Sequence, residues 1–414
     1  MAIKETLKKI NKELGVGWIT GAADDDPSGI ATYSIAGAAG YQAFLWLSWL
    51  TLPLMYFIQE ICARIALVNN KGLTGVIKEK LHPTFLFLVA GAMFFAVTFN
   101  IAADLSGMAA TLQFFLPFIP AWLLSILISL IIILIILLFS YRKFSGILKT
   151  ITLIMLSYVA VAFIIKINWP NVIYSAVWPK IKFDHNFFSI VTAIIGTTIS
   201  PYLFFWQADE EVEEIDEQKR QRQEIPIRSE IKNARTDTFF GMFFSNLLMF
   251  FIILTTGVIL SGHGQNQIQS LNQLVLVLKP LAGNFAYLLF TLGIFASGLV
   301  AIPVLAGANA YIVSEIFNLP ASLNKKVFEA IPFYALIVVS ILFANLINLF
   351  NISPIKLLFD TALLYGLIAP FLILVLLKIA NDKKIMAEYK NNWLSNSIAG
   401  LTVILMFIAI FLTL

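Results

Sequence analysis

Apolar segments long enough to cross a lipid bilayer recur along the whole chain of 414 residues, and this feature constrains the fold more than any other. A helix needs about 20 residues to cross a hydrocarbon core of about 30 Å. Only 13% of the residues are charged, whereas soluble domains have roughly 25%. The sequence predicts an all-α membrane protein with about eleven transmembrane helices, at 13–41, 43–68, 84–112, 120–140, 147–166, 186–210, 237–260, 282–312, 327–348, 356–379 and 395–413.

The Lys and Arg residues fall unevenly on the two sides of such a protein, and basic loops are retained in the cytoplasm. With the N-terminus inside, 23 of the 28 basic residues are cytoplasmic, and the other five are Lys166, Lys180, Lys182, Lys279 and Lys356. We expect a multi-pass protein of the plasma (inner) membrane with a cytoplasmic N-terminus and an extracytoplasmic C-terminus. The net charge of +4 follows from this distribution, and no motif suggests nucleic-acid binding.

Two classes of feature are not predicted at all. The one cysteine, Cys62, lies within the second span, so neither a disulfide framework nor a thiolate metal cluster is expected. The stretch 1–14 is charged and predicts an amphipathic lead-in rather than a signal peptide, because it lacks an apolar core and a cleavage site. We expect no cofactor.

The first span, WITGAADDDPSGIATYSIAGAAG, contains three carboxylates and a proline. Pro27 removes a backbone donor, and Gly29 tolerates the dihedral angles of an unwound segment. A charge at the bilayer centre costs roughly 2.5–3.5 kcal/mol, so Asp24, Asp25 and Asp26 together need water, a cation or a partner. The sequence predicts a helix break near 26–29 with a cation site beside it. The alternative is a simple proline kink.

The sixth span contains a second candidate break, in IIGTTISPYLFFWQADEEVEE, where Thr197, Thr198 and Ser200 precede Pro201. Spans one and six each begin a set of five, and an odd number places the second set in the membrane upside down. We therefore expect a single transmembrane domain over 1–414, with inverted repeats at 1–180 and 181–380 and an additional helix at 381–414. Broken helices at matching positions of inverted repeats indicate a midplane binding site in secondary transporters. A kink alone at Pro201 is the alternative.

At these residues the chain resembles the natural resistance-associated macrophage protein family of divalent metal transporters. Asp26-Pro27-Ser28-Gly29 is similar to that family's Asp-Pro-Gly-Asn, and Ser200-Pro201-Tyr202 stands where the family has Met-Pro-His. The stretch 59–80 resembles the family's turn after the second helix. The resemblance implies the amino acid, polyamine and cation transporter fold, with alternating access around broken helices 1 and 6.

The departures from the family pattern concern the ion. Gly29 replaces the family's Asn and Ser200 its Met, so the soft sulfur ligand is gone. Carboxylate, carbonyl and hydroxyl oxygens suit Mg²⁺ and Mn²⁺, and Mg²⁺ keeps several of its waters. The chain is similar to the Mg²⁺-transporting branch of the family. We expect Asp26, Gly29, Thr197 and Ser200 at the metal, which is the transported substrate.

Proton coupling is a second departure. The family's histidine position is Tyr202, the next polar position is Gln207, and the third helix offers only Asp104. The three histidines, His82, His185 and His263, fall at or beyond the ends of spans. We expect transport of Mg²⁺, and also of Mn²⁺, without obligatory proton movement. A proton-coupled transporter of Mn²⁺ or other transition metals is the alternative.

Each candidate residue also has a structural interpretation. Asp26 suits the cap of the second half-helix, and Asp25 suits either an acidic approach or a neutralised group. Ordinary interhelical hydrogen bonds are the alternative for Thr197, Thr198, Ser200, Tyr202 and Gln207, and also for Asp104. Tyr365 is a candidate only because the family's tenth helix approaches the site. The run Glu210, Glu211, Glu213 and Glu214 predicts either a cation exit or a solvated face.

Three other functions are compatible with a multi-pass membrane protein. A sodium-coupled carrier of organic solutes with this fold needs free amides without neighbouring anions, which three aspartates disfavour. An intramembrane enzyme needs a catalytic constellation within the spans, and neither HExxH nor GxSxG occurs. A sensor that binds the ion without moving it remains open. The expected partners are a divalent cation and the lipid bilayer; the oligomeric partner is unknown.

Overall fold

The computed structural model describes residues 15–80, 82–139, 152–220, 225–262, 268–350 and 352–413. The regular structure in those ranges is helical, as expected where a backbone in lipid has to satisfy its own hydrogen bonds. In chain order the helices are α1 (Val16–Asp24), α2 (Pro27–Asn69), α3 (Leu73–Lys78), α4 (Pro83–Leu112), α5 (Ala121–Leu138), α6 (Ser157–Ile164), α7 (Trp169–Val177), α8 (His185–Thr198), α9 (Pro201–Arg220), α10 (Ile227–Gly262), α11 (Leu271–Ala282), α12 (Ala286–Phe317), α13 (Ile331–Asn348), α14 (Pro354–Ala380), α15 (Lys383–Met386) and α16 (Trp393–Thr413).

Within the described ranges, nine helical segments are long and apolar enough to cross a membrane. One of them, α2, has 43 residues and therefore a length of about 65 Å, twice the hydrocarbon thickness. Gly40 divides it, because its φ of 136° and ψ of 91° are not helical. The first part completes the span that α1 begins, and the second part is a span of its own. This division makes ten segments, and the shorter apolar helix Leu153–Ile164 lies at the predicted fifth span, so about eleven transmembrane helices are accounted for.

The predicted spans agree with the helices to within a few residues at most ends. The two largest differences are ten residues each: α9 ends at Arg220 rather than 210, and α10 begins at Ile227 rather than 237, because in both helices polar turns extend beyond the apolar run. Three sequence expectations lie outside the described residues: the lead-in at 1–14, the start of the fifth span, and His263.

Burial separates the central helices from the peripheral ones. Helices α8 and α9 lie within His185–Arg220, and all residues of the most apolar 18-residue stretch there are buried. In the corresponding stretch of α16 only 28% are buried. Helix α10 packs along α1 and α2, and α14 packs against α8. The two helices that the sequence predicts to be broken therefore lie in the middle of the bundle.

Candidate cation site at two helix breaks

The first break consists of Asp25 and Asp26, between α1 and α2. Asp26 is extended, with φ −66° and ψ 171°, and its side chain caps α2 by accepting a 2.7 Å hydrogen bond from the Gly29 amide. Pro27 is the first helical residue, a position where a missing N–H costs nothing. The predicted break at 26–29 is therefore one to three residues too late, because Asp-Pro together form a helix start.

Asp26 is held on both oxygens. Its Oδ1 also accepts a hydrogen bond from the Ser28 hydroxyl at 2.7 Å, and its Oδ2 accepts one from the Asn100 amide of α4 at 2.7 Å. The residue is only 2% exposed. The carboxylate is thus fixed in place before any ion arrives.

Three oxygen atoms converge on the side of Gly29 where another residue would carry its Cβ. A Cβ built there would lie 3.0 Å from the Asp24 carbonyl oxygen, 3.4 Å from Asp26 Oδ1 and 3.5 Å from Thr197 Oγ1. The third atom comes from the other broken helix. The absence of a side chain at Gly29 therefore leaves a small space that is bordered by a carbonyl, a carboxylate and a hydroxyl.

The second break consists of Ile199 and Ser200, between α8 and α9. Ile199 has φ −107° and ψ 59°, and Pro201 starts α9. The Ser200 hydroxyl donates to the Thr197 carbonyl at 2.5 Å, so it is engaged with the end of its own helix. This break is where the sequence places it.

Two hydrogen bonds join the broken helices. The Tyr202 hydroxyl donates to the Ala23 carbonyl at 2.9 Å, which satisfies one of the free carbonyls at the end of α1. The hydroxyls of Thr198 and Tyr33 are 3.1 Å apart. The two breaks are therefore parts of one site rather than separate kinks.

Further carboxylates flank Asp26 on two sides. Ser245 of α10 donates to Asp24 Oδ2 at 2.7 Å and to Asp25 Oδ1 at 3.4 Å. On the other side, Asp104 of α4 is close enough to Asp26 for the two carboxylates to repel each other. Among the described residues, Asp24 Oδ1, Asp25 Oδ2 and both oxygens of Asp104 are buried without a hydrogen-bond partner.

Two predicted residues lie at different distances from this group. Tyr365 of α14 is buried, and its ring centroid is 5.6 Å from that of Tyr202. Gln207 is five residues further along α9, where its amide donates to Thr238 Oγ1 at 2.6 Å. The structure thus brings the other predicted residues together at the breaks and directs Gln207 toward α10.

Three residues of the site were not predicted: Asn100, Ser245 and Tyr33. Asn100 precedes Asp104 by four residues on α4, so a helical spacing puts both on one face, and this signal could have found it. Tyr33 follows Gly29 by four residues on α2 in the same way. Ser245 lies in an apolar stretch of α10 without any distinguishing pattern.

No three His, Cys, Asp or Glu side chains converge at metal-binding distance within the part of the chain that the structure describes. A cation at the breaks would therefore take its protein ligands from at most two carboxylates together with carbonyl, hydroxyl or amide oxygens. Such a set leaves coordination positions for water.

Acidic residues of α9, among them Glu213 of the acidic run, line a separate cavity. The cavity has a volume of about 270 Å³, and Asp209, Glu213 and Glu315 are among its lining residues. Glu213 accepts the amides of Leu323 at 3.0 Å and Asn324 at 3.2 Å. The solvated-face interpretation is wrong for Glu210 and Glu211, which are 6% and 7% exposed, because α9 continues into the bundle beyond the apolar run.

Comparisons with known proteins agree with this architecture. A family described as natural resistance-associated macrophage protein-like matches residues 17–414. The divalent metal cation transporter MntH of Verminephrobacter eiseniae is 23% identical over 91% of this chain and 83% of its own length. The protein of the same name from Clostridium acetobutylicum is 23% identical over 100% of this chain and 93% of its own.

A solved structure has the same fold. The Eremococcus coleocola manganese transporter, in a crystal structure with an aromatic bis-isothiourea substituted compound, superposes with a TM-score of 0.78 at 17% identity. The match covers 97% of this chain and 86% of that one. Multi-pass membrane transporters with discontinuous helices are thus the class that the fold and the paired breaks define. The chain belongs to the natural resistance-associated macrophage protein (Nramp) family.

Proposed function

We propose that this protein is a secondary transporter that moves divalent metal cations, Mg²⁺ first and also Mn²⁺, by alternating access around Asp26. The observation that carries the proposal is the set of buried carboxylate oxygens without partners on Asp24, Asp25 and Asp104, on both sides of Asp26. Buried polar groups are nearly always hydrogen-bonded, so such a concentration calls for an ion or water. Membership of a family whose relatives are named divalent metal cation transporters supports the divalent charge.

The preference for a hard cation rests on the chemistry of the donors. The space beside Gly29 is bordered by oxygen atoms of Asp24, Asp26 and Thr197, and oxygen ligands suit Mg²⁺ and Mn²⁺. The sulfur of Met249 accepts a hydrogen bond from Thr198 at 3.8 Å and is the soft atom to test. We assign Asp26, Gly29 and Thr197 to the ion, with Ser200 shaping the break that presents Thr197.

The membrane potential alone can drive uptake of a divalent cation, so proton coupling is not required energetically. An inside-negative potential of 100 mV supplies about 4.6 kcal/mol for a divalent cation. Tyr202, at the family's histidine position, is engaged as a donor to the Ala23 carbonyl. His82 and His185 stand at the starts of α4 and α8, away from the breaks.

A proton-coupled Mn²⁺ transporter is the second candidate, and Asp104 is the specific observation in its favour. This carboxylate is fully buried near Asp26 and the Ser28 amide, and a buried acid beside a second carboxylate is suited to accept a proton. A carrier of organic solutes is disfavoured. It would use the Gly29 amide to bind a substrate carboxylate, but this amide already donates a hydrogen bond to Asp26.

Uptake into proteoliposomes with an inside-negative potential tests the proposal. Mg²⁺ and Mn²⁺ are assayed separately with a pH indicator inside the vesicles, for the wild type, Asp26→Asn and Glu329→Gln. Asn caps a helix about as well as Asp, so Asp26→Asn should remove the charge without unfolding the protein. Glu329 is exposed between α12 and α13 and provides a matched loss of one carboxylate.

We expect uptake of both ions by the wild type and Glu329→Gln, loss of at least 90% of it in Asp26→Asn, and no acidification. Acidification in proportion to metal uptake would establish the proton-coupled candidate instead. Failure of both ions to enter would remove the proposal.

A further inference from the structure

A cavity of about 480 Å³ at the end of the bundle predicted to be cytoplasmic is lined mainly by cations. It lies between α2, α10 and the segment that precedes α16. The charged residues around it are five bases and one acid: Arg64, Arg228, Lys232, Arg235, Lys390 and Glu388. The cavity is separate from the helix breaks and from the acidic cavity of α9.

An ion-pair network centred on the buried Glu60 forms the floor of this basic cavity. Arg64 donates to both oxygens of Glu60, at 2.9 and 3.0 Å, and Arg235 donates through Nε to Glu60 Oε1 at 2.8 Å. Arg64 also donates to the Tyr389 carbonyl and, at 2.6 Å, to Asn391 Oδ1. These hydrogen bonds hold the segment that precedes α16 against α2. The shape of the cavity is therefore set by buried contacts of its own residues.

Three basic residues of the cavity, Arg228, Lys232 and Lys390, lie outside this ion-pair network. Arg228, Lys232 and Arg235 are spaced four and three residues apart, which places them on one face of α10. In the part of the chain that the structure describes, Arg228, Lys232 and Lys390 form no ion pair. The acids of α10 are engaged elsewhere, since Glu230 interacts with Gln218 and Asp237 accepts the amides of Gly15 and Gly17.

The exposed residues of α10 indicate the depth of the cavity in the membrane. Directly above the three cations come Phe239, Phe240 and Phe243, which are 43%, 54% and 38% exposed. Trp393, at the start of α16, is 79% exposed. A basic face followed by exposed aromatic rings is the pattern of a membrane interface, so the cavity lies at the level of the lipid headgroups.

We propose that the basic cavity binds the phosphate group of an anionic phospholipid in the cytoplasmic leaflet. The guanidinium groups and the two lysines suit a phosphate oxyanion, and basic pockets between helices on this side of a membrane bind such headgroups. The uncompensated charge selects an anionic lipid over a zwitterionic one. The exposed aromatic rings beside the cavity favour a lipid over free inorganic phosphate, since acyl chains would lie against them.

This proposal is tested by measuring the melting temperature of the full-length protein in an uncharged detergent. The concentration of dioctanoyl phosphatidylglycerol is increased stepwise. Dioctanoyl phosphatidylcholine and inorganic phosphate are titrated in parallel. The variants are Arg228→Ala/Lys232→Ala, Lys232→Ala alone, and the control Lys325→Ala/Lys326→Ala, which removes two basic residues between α12 and α13. The single variant serves if the double variant does not fold.

We expect phosphatidylglycerol to raise the melting temperature of the wild type and the control with the same half-saturating concentration. Each removed cation weakens binding about fivefold, so the double variant should need about 25-fold more lipid and the single variant about fivefold more. An unchanged concentration dependence in the double or single variant would overturn the proposal, as would equal stabilisation by phosphatidylcholine. Equal stabilisation by inorganic phosphate would overturn the lipid as the source of the phosphate.

Discussion

At the scale of single residues, Gly29 and Ser200 are the departures from the family pattern that lie at the two helix breaks. Gly29 contributes space, because a side chain there would press on the Asp24 carbonyl at 3.0 Å. Ser200 contributes a short hydroxyl that is turned back onto the Thr197 carbonyl. Both residues therefore shape the space beside Asp26, which under the proposed function is the place of the ion.

Ser200→Met should move the preference of the site toward soft metals. A thioether favours soft and borderline ions over Mg²⁺, so we expect the ratio of Cd²⁺ to Mg²⁺ uptake to rise about tenfold. Competition between the two ions in proteoliposomes measures this ratio. Ser200→Leu is the control, since Leu and Met have similar volumes. An equal change in Ser200→Leu would mean that size, and not sulfur, sets the preference.

The sequence revealed the charged members of the site more readily than the neutral ones. Asp26 stands out because a carboxylate within an apolar span is costly. Ser245 is a residue type that membrane helices tolerate, so its presence carries little information until the helices are packed, whereas Asn100 has only its spacing to Asp104 as a signal. The sequence places the break slightly too late because Pro27 and Gly29 suggest unwinding, although Asp26 and Pro27 together start α2.

At the scale of the helices, glycine brings α1 and α2 into backbone contact with α10. A Cβ at Gly17 would lie 2.5 Å from the Thr238 amide nitrogen, and one at Gly37 would lie 2.5 Å from the Ile253 carbonyl oxygen. These distances are too short for any side chain. The close approach explains how Ser245 and Asp237 of α10 reach the two ends of α1.

Gly241→Ala should therefore destabilise the protein. Its Cβ would lie 2.7 Å from the Gly17 carbonyl carbon and 3.1 Å from Trp18 Cα, and neither backbone atom can move without displacing α1. Overpacking of this kind costs about 1–3 kcal/mol. The thermal unfolding midpoint in detergent measures the effect.

The control for that substitution is Gly293→Ala in α12, where no atom lies within 4 Å of the added Cβ. Alanine is the better helix former by about 1 kcal/mol, so this variant should be as stable as the wild type or slightly more stable. If both variants melt at the same temperature, the glycine contacts between α1 and α10 do not limit stability.

The helices themselves could be predicted because their apolar runs match the thickness of a bilayer. The division at Gly40 lies within one residue of the predicted end of the first span at 41, and the second span is predicted to begin at 43. The polar first turns of α10 could not be predicted in this way. They lie outside the apolar run and are joined to the helix by its backbone hydrogen bonds.

At the scale of the whole molecule, the orientation in the membrane remains a prediction from the distribution of basic residues. Cysteine labelling of intact cells checks it, in a Cys62→Ala background, since Cys62 is fully buried. We expect a membrane-impermeant maleimide to label Lys180→Cys in intact cells, and Lys325→Cys only after permeabilisation. The reverse pattern would place the basic cavity on the outer face.

The way in which Asp26 is held has a consequence for the entropy of ion binding. Ser28, Gly29 and Asn100 donate three hydrogen bonds to a carboxylate that can accept about four. The side chain therefore has one orientation before a ligand is present. If Asp26 binds the ion as we propose, little conformational entropy of this side chain is lost on binding.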